Sequence, residues 1–183
     1  NGDLATNMPN GTLLACTWNV ELVKKLYSYE GIEAYANRVD ALLGPGMNIH
    51  RIPLCGRNFE YFSEDPYISG KMGKAVCEGL YTAGVTGTIK HFAANNRESN
   101  RIEINMVISE RALREIYLKP YEIAVKSGSV KMVMTAYNRI NGVYCSANYD
   151  LNTAVLRNEW GYDGLVMTDW WPKSYIDSDG KGE

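Results

Sequence analysis

Val85-Thr86-Gly87-Thr88-Ile89-Lys90-His91-Phe92 is a short, β-branched run that closes on two basic side chains. A continuous run of this kind, with no polar alternation, reads as a strand covered on both faces, as in parallel sheets. The strand proper is read as Val85 to Ile89, ending in Lys90-His91-Phe92. Two later runs repeat the design. Lys131 to Thr135 leads into Ala136-Tyr137-Asn138, and Gly164 to Thr168 leads into Asp169-Trp170-Trp171. An earlier strand-like stretch, Ala41 to Leu43, stops at Gly44-Pro45-Gly46, which must turn.

Between these runs, apolar residues recur three and four apart, the spacing of a helix face. Asn19 is placed to cap a first helix with Leu22, Val23 and Leu26 on one side. A helix from about Tyr67 to Thr82 carries Ile68, Met72, Ala75, Val76 and Leu80, and Gly84 ends it. Ser109 caps another, with Leu113, Ile116, Tyr117, Tyr121, Ala124 and Val125 inward, a kink expected at Pro120 and a stop at Gly128. The last runs from about Leu151 to Glu159, with Val155 and Leu156 inward and Gly161 near its end. Polar loops fill Asn48 to Pro66 and Asn95 to Asn105; the first is long enough to suggest a functional role. The tail, Tyr175 to Glu183, reads as loop or frayed end.

A repeated βα pattern without a glycine-rich dinucleotide fingerprint suits either a (β/α) barrel or an open doubly wound sheet. A complete eightfold barrel takes about 250 residues, and the chain has 183. The expectation is α/β: one domain, residues 1–183, forming a partial (β/α) barrel of the TIM type that residues or chains outside it complete.

Composition excludes some classes of function. The net charge of −2 comes without a basic cluster, which argues against nucleic acid and anionic membranes. No apolar run approaches the ~20 residues of a membrane span. The first ten residues carry no signal-peptide pattern, although the chain starts at Asn1 rather than Met, which leaves a leader upstream open. Cys16, Cys55, Cys77 and Cys145 are too scattered for a metal site and read as buried or half-buried thiols, which favours a reducing, cytoplasmic setting over secretion. His50 and His91 are the only histidines, and neither has a partner at ligand spacing, so no metal or cofactor is expected.

The chemistry lies at the C-terminal end of each strand. In barrels these ends share one face, where catalysis occurs, so Lys90, His91, Tyr137 and Asp169 are expected to converge. Each alone has an ordinary explanation: a carboxylate after a strand often caps a helix, a lone histidine is often structural, and Trp170 or Trp171 can be read as core. Together they suit a sugar, whose hydroxyls take charged donors such as Lys90, His91, Arg57 and Arg101 and whose apolar face takes a platform such as Trp170. A carboxylate at the anomeric carbon then serves as nucleophile.

Asn48-Ile49-His50-Arg51, Cys55 through Pro66 (Cys-Gly-Arg-Asn-Phe-Glu-Tyr-Phe-Ser-Glu-Asp-Pro), Lys90 through Asn96, then Glu98 and Arg101, Ser109 through Leu118, Tyr137-Asn138 with Asn141-Gly142, and Glu159-Trp160-Gly161-Tyr162 leading into Thr168-Asp169-Trp170 run in order along nearly the whole chain. This series resembles glycoside hydrolase family 3. The resemblance implies a retaining exo-β-glycosidase, foremost a β-glucosidase, acting on a β-linked oligosaccharide or glycoside with Asp169 as nucleophile. It implies that Arg57, Lys90, His91, Arg101 and Tyr137 hold the glycone hydroxyls and that Trp170 stacks on the ring. Met134 joins them at the pocket with Glu60 behind, whereas Glu110, Arg111, Arg114 and Glu115 are scaffold. It also implies parts not found here. These are a glycone-binding Asp in an Asp-Gly-Pro motif, for which Asp3 sits in the wrong context, and a general acid/base from a second α/β sandwich domain. The chain alone is therefore expected to be weakly active or inactive. Arg97 departs from the family's usual Gln, and Thr168 to Pro172 faintly resembles members with reversed domain order. The rival readings are a β-xylosidase or mixed-specificity enzyme, a sugar-binding fragment without catalysis, and an aldolase using Lys90 as a Schiff base. The family's β-N-acetylglucosaminidase branch is disfavoured, because its motif around a catalytic histidine is not evident.

Overall fold

The computed structural model describes residues 5–172, so Asp3 and the tail beyond Pro172 lie outside the described residues. Four parallel strands form the main sheet: β1 (Ala41–Leu42), β2 (Thr86–Phe92), β4 (Met132–Thr135) and β7 (Leu165–Thr168). Their spatial order, β1-β2-β4-β7, is the order in which the chain makes them. A doubly wound sheet reverses its strand order at a switch point, and this one does not. Monotonic order with helical crossovers is that of barrel staves, and the chain forms a partial (β/α) barrel.

The helical layer begins earlier than the apolar spacing suggests. α1 (Gly11–Cys16) is a short helix capped by the Asn10 side chain, ahead of α2 (Val20–Ala36), which Asn19 caps by accepting from the Leu22 amide. Asp65 caps α3 (Pro66–Thr82), which has Pro at its first turn, where no amide partner is needed. α2 and α3 lie close because small residues meet: a Cβ on Gly79 would stand 2.4 Å from the Lys24 carbonyl oxygen.

Three expectations about inward faces fail. Leu22 and Ile116 are exposed, as is Cys16. Val23 carries the α2 contact at full burial while Leu22 lies on the flank. The helix from Ser109 is not one kinked rod. α4 (Glu110–Ala112) widens into a π-type stretch, Leu113–Tyr117, before α5 (Lys119–Val125). The Leu118 amide reaches back to Leu113 at 2.8 Å, so the break is made ahead of Pro120 and the chain is offset by one residue. Asp150–Glu159 is likewise wound in π fashion.

Beside the barrel lies a small second sheet, β3 (Asn105–Met106), β5 (Arg139–Ile140) and β6 (Val143–Tyr144), in the order β3-β5-β6. Asn141 and Gly142 turn β5 into β6 with φ of 50° and 96°, the left-handed pair that a two-residue hairpin demands. The core is continuous from α2 and α3 through β2 and β4 to α5, with Val23, Val76, Leu80, Ile89, Phe92, Tyr121 and Val133 among its sealed members.

Candidate active site

Three strand ends and two loops build the site. β2 pairs Ile89 with Val133 and then Phe92 with Thr135, so three steps on β2 match two on β4. The extra residue falls at Lys90-His91. Such a bulge re-aims side chains where a regular ladder would alternate them. The Lys90–His91 and Phe92–Ala93 peptide bonds are cis. The His91 backbone is held from several sides: the Asn48 side chain takes its amide at 2.9 Å and gives to its carbonyl at 2.9 Å, and the Tyr121 hydroxyl gives to the same carbonyl at 2.9 Å.

The His91 ring is buried and faces Asp169, with Nε2 3.6 Å from Oδ2. Burial, then the charges of Arg57, Lys90 and Arg101, push its pKa down to about 2, so the ring is neutral and the contact is no ion pair. Asp169, also buried, accepts from the Trp170 amide at 2.8 Å through Oδ1. β7 delivers it, paired residue for residue with β4, which sets Met134 beside Met167 and Thr135 beside Thr168.

The cations stand around this pair, with two carboxylates, Glu60 and Glu98, as their counter-charges. Arg57 is bonded to Glu60, and Lys90 lies 3.5 Å from the other oxygen of that carboxylate. Arg101 bonds Glu98 at 2.8 Å and sits 4.9 Å over the ring of Tyr137. The Tyr137 hydroxyl gives to the Trp170 carbonyl, and burial together with the neighbouring Asp169 carboxylate raises its pKa. Trp170 and Trp171 are exposed in this chain and belong to no part of its core. Met134 is buried in the sheet. Lys90, His91, Tyr137 and Asp169 thus gather at one end of the sheet, as the strand ends suggested, and the loop residues Arg57 and Arg101 join them there. Glu110, Arg111, Arg114 and Glu115 pair among themselves or with Glu159, away from the site.

The sequence pattern does not single out Tyr61, Asn48, Asn95 or Tyr121. Tyr61 is fully buried, 3.2 Å from His91 Nδ1 through its hydroxyl, and Asn95 bonds both Tyr61 and Glu98. Among the described residues no group of His, Cys, Asp and Glu is arranged to hold a metal ion, and no helix is long and apolar enough to cross a membrane.

Residues 1–180 match the model of the glycosyl hydrolase family 3 N terminal domain. A β-glucosidase of Ruminococcus albus is 59% identical over 170 residues, 93% of this chain and 18% of the relative. An exo-α-(1→6)-L-arabinopyranosidase of Bifidobacterium longum is 48% identical over 166 residues, 91% of this chain and 22% of the relative. The solved structure of β-glucosidase 3B from Thermotoga neapolitana, in complex with α-D-glucose, superposes with a TM-score of 0.91 at 51% identity, covering 92% of this chain and 24% of that one. The chain spans about a fifth of the length of these relatives.

Proposed function

Because this chain belongs to glycosyl hydrolase family 3, we propose that it supplies the nucleophile and most of the glycone pocket of a retaining β-glucosidase. The observation that carries the reading is the buried Asp169 carboxylate facing a neutral His91 across 3.6 Å, with Arg57, Lys90 and Arg101 around them. One oxygen of this carboxylate takes the Trp170 amide and the other faces the His91 ring, on the side where the anomeric carbon is proposed to sit. The surrounding donors fix the sugar by its hydroxyls.

In the proposed reaction an Asp169 oxygen attacks the anomeric carbon from the face opposite the leaving group. The glycosidic bond breaks, and a covalent glycosyl–Asp169 ester forms; water then cleaves it with net retention. Arg57, Lys90, His91, Arg101 and Tyr137 hold hydroxyls, Met134 lines the floor, and Trp170 stacks on the ring. The acid/base that protonates the leaving oxygen lies about 5–5.5 Å from the nucleophile in a retaining site. It is assigned to a second, α/β sandwich domain of the same enzyme, as are the remaining barrel strands to segments outside residues 5–172.

The test uses the full-length polypeptide and 2-deoxy-2-fluoro-β-glucosyl donor carrying dinitrophenolate, which departs as an anion and needs no acid. A fluoroglucosyl adduct mapped to Asp169 is expected. An adduct on another carboxylate, or none from folded protein, overturns the assignment. Because an arabinopyranosidase is also a relative, relative rates on aryl β-glucoside, β-xyloside and α-L-arabinopyranoside decide the glycone; a glucoside slower than both overturns the glucosidase reading.

A further inference from the structure

Tyr61 is fully buried, and its hydroxyl stands between two side chains, 3.2 Å from His91 Nδ1 and 3.1 Å from Asn95 Nδ2. We infer that Glu98, Asn95 and Tyr61 form a one-way hydrogen-bond relay that holds the His91 proton on Nε2, the nitrogen facing Asp169. The inference rests on the proposed glycosidase reading for its purpose, and on side-chain chemistry alone for its direction.

The direction comes from counting protons. Glu98 is ion-paired to Arg101 at 2.8 Å, so it is a carboxylate and only accepts. The Asn95 atom 3.0 Å from Glu98 must therefore be the amide nitrogen, and its second hydrogen points to the Tyr61 oxygen. A phenol has one proton of its own. With its oxygen receiving from Asn95, that proton goes to the other neighbour, His91 Nδ1. Nδ1 is thereby an acceptor. A neutral imidazole then carries its single proton on Nε2, and His91 is neutral, as burial and the surrounding cations dictate.

The consequence is a fixed donor in the pocket. The 3.6 Å between Nε2 and Asp169 Oδ2 is too long for a direct hydrogen bond, so Nε2–H is free for a ligand. A sugar hydroxyl placed there accepts from Nε2–H and donates to the carboxylate, which gives it one orientation. The opposite tautomer would aim a lone pair at the carboxylate and leave such a hydroxyl only acceptors. Tyr61, Asn95 and Glu98 are positioning residues in this scheme, acting through His91; Glu98 also seats Arg101.

The experiment reads the tautomer directly, by long-range proton–nitrogen correlation of ¹⁵N-histidine in the full-length polypeptide, with His91 assigned by its loss in His91→Gln. The wild-type protein is expected to show a pyridine-like Nδ1 and a protonated Nε2; a protonated Nδ1 overturns the relay, and this arm needs no relay variant to fold. Asn95→Asp, nearly equal in volume, turns the donor into an acceptor. Tyr61 then gives its proton to Asp and receives one from His91, so Nδ1 is expected to shift to the protonated, pyrrole-like position. Adding Tyr61→Phe removes the messenger, and Nδ1 is expected to return to the pyridine-like position. An unmoved Nδ1 in the first variant, or an unrestored one in the second, overturns the relay. The expected tautomers in a protein without activity on glycosides would sink the proposed function and keep the relay; full activity with the wrong tautomer would do the reverse.

Discussion

Among the described residues, the end of β2 is enclosed by neighbours on both sides, whereas β7 has a neighbour on one side only. β2 runs between β1 and β4, its residues from Gly87 to Ile89 buried and its last turn clamped by Asn48, Tyr61 and Tyr121. Among the described residues β7 pairs only with β4; Leu165 is 57% exposed, and the chain beyond Asp169 runs into two exposed tryptophans. His91, one of the groups proposed to bind the sugar, is therefore held by contacts this chain makes itself. The proposed nucleophile follows a strand with one ladder, and its carboxylate meets the Trp170 amide and the His91 ring. Among the described residues the end of β2 is thus held from both sides and the end of β7 from one, and experiment can set one against the other.

The largest effect separates the two by chemistry. In the full-length polypeptide, Asp169→Ala is expected to lower kcat on an aryl β-glucoside by roughly 10⁴-fold or more, because the covalent step is lost. Azide, entering the vacated space, is expected to restore turnover on dinitrophenyl β-glucoside as the α-glucosyl azide. His91→Ala removes one donor and is expected to cost about 10- to 100-fold in kcat/KM, about 1–3 kcal/mol, without azide rescue. If His91→Ala were rescued and Asp169→Ala not, the roles of the two strand ends would be exchanged.

The next effect is structural. Ile89 on β2 is 0% exposed, and Ile89→Ala is expected to cost about 2–5 kcal/mol of stability through lost burial and the cavity left behind. Leu165→Ala on β7 removes a side chain already more than half in water, and is expected to stay within about 0.5 kcal/mol in the 183-residue chain. Urea unfolding with unchanged m-values would measure both. Equal costs would erase the contrast. A larger Leu165 cost in the full-length polypeptide would show that something covers that edge there.

Much of the barrel was legible because buried parallel strands leave a strong mark: Thr86 to Ile89, Met132 to Thr135 and Leu165 to Thr168 are continuous apolar or β-branched runs. β2 extends to Phe92, beyond the apolar run, because its backbone goes on bonding, Lys90 to Pro45 at 3.0 Å and Met47 to Lys90 at 2.7 Å, whatever the side chains are. The second sheet left little trace. Its strands are two residues long, too short for alternation, and the Asn141-Gly142 pair that turns the hairpin was read only as part of the family resemblance. The helix at Ser109 carried its warning in Pro120, but the π-type offset lies ahead of it, at Leu113–Tyr117, and Pro120 then falls in the first turn of α5, where no amide partner is needed. Within the site, Lys90, His91, Tyr137 and Asp169 could be read from strand ends. Tyr61 and Asn95 could not, since each sits in a loop and gains its role from partners some 30 positions away.

The smallest effect tests the enclosure itself. His91 titrates at about 6.5 when exposed and at about 2 in the fold, where burial and then Arg57, Lys90 and Arg101 oppose its charge, against the single carboxylate of Asp169. A depressed folded pKa means that above pH 6.5 neither state is protonated and nothing is lost. Below it the unfolded chain takes up a proton that the native ring refuses, so stability falls with pH, from 6.5 down toward 2. The slope from this one group is about 1.4 kcal/mol per pH unit once well below 6.5. His91→Gln removes that proton from the balance. Between pH 6 and 5 the variant is expected to lose less stability than the wild-type protein, by an amount approaching that slope, in denaturant titrations at each pH. Equal slopes would mean that the native His91 takes up its proton as readily as the unfolded chain, and that the end of β2 is as open to water as the edge at β7.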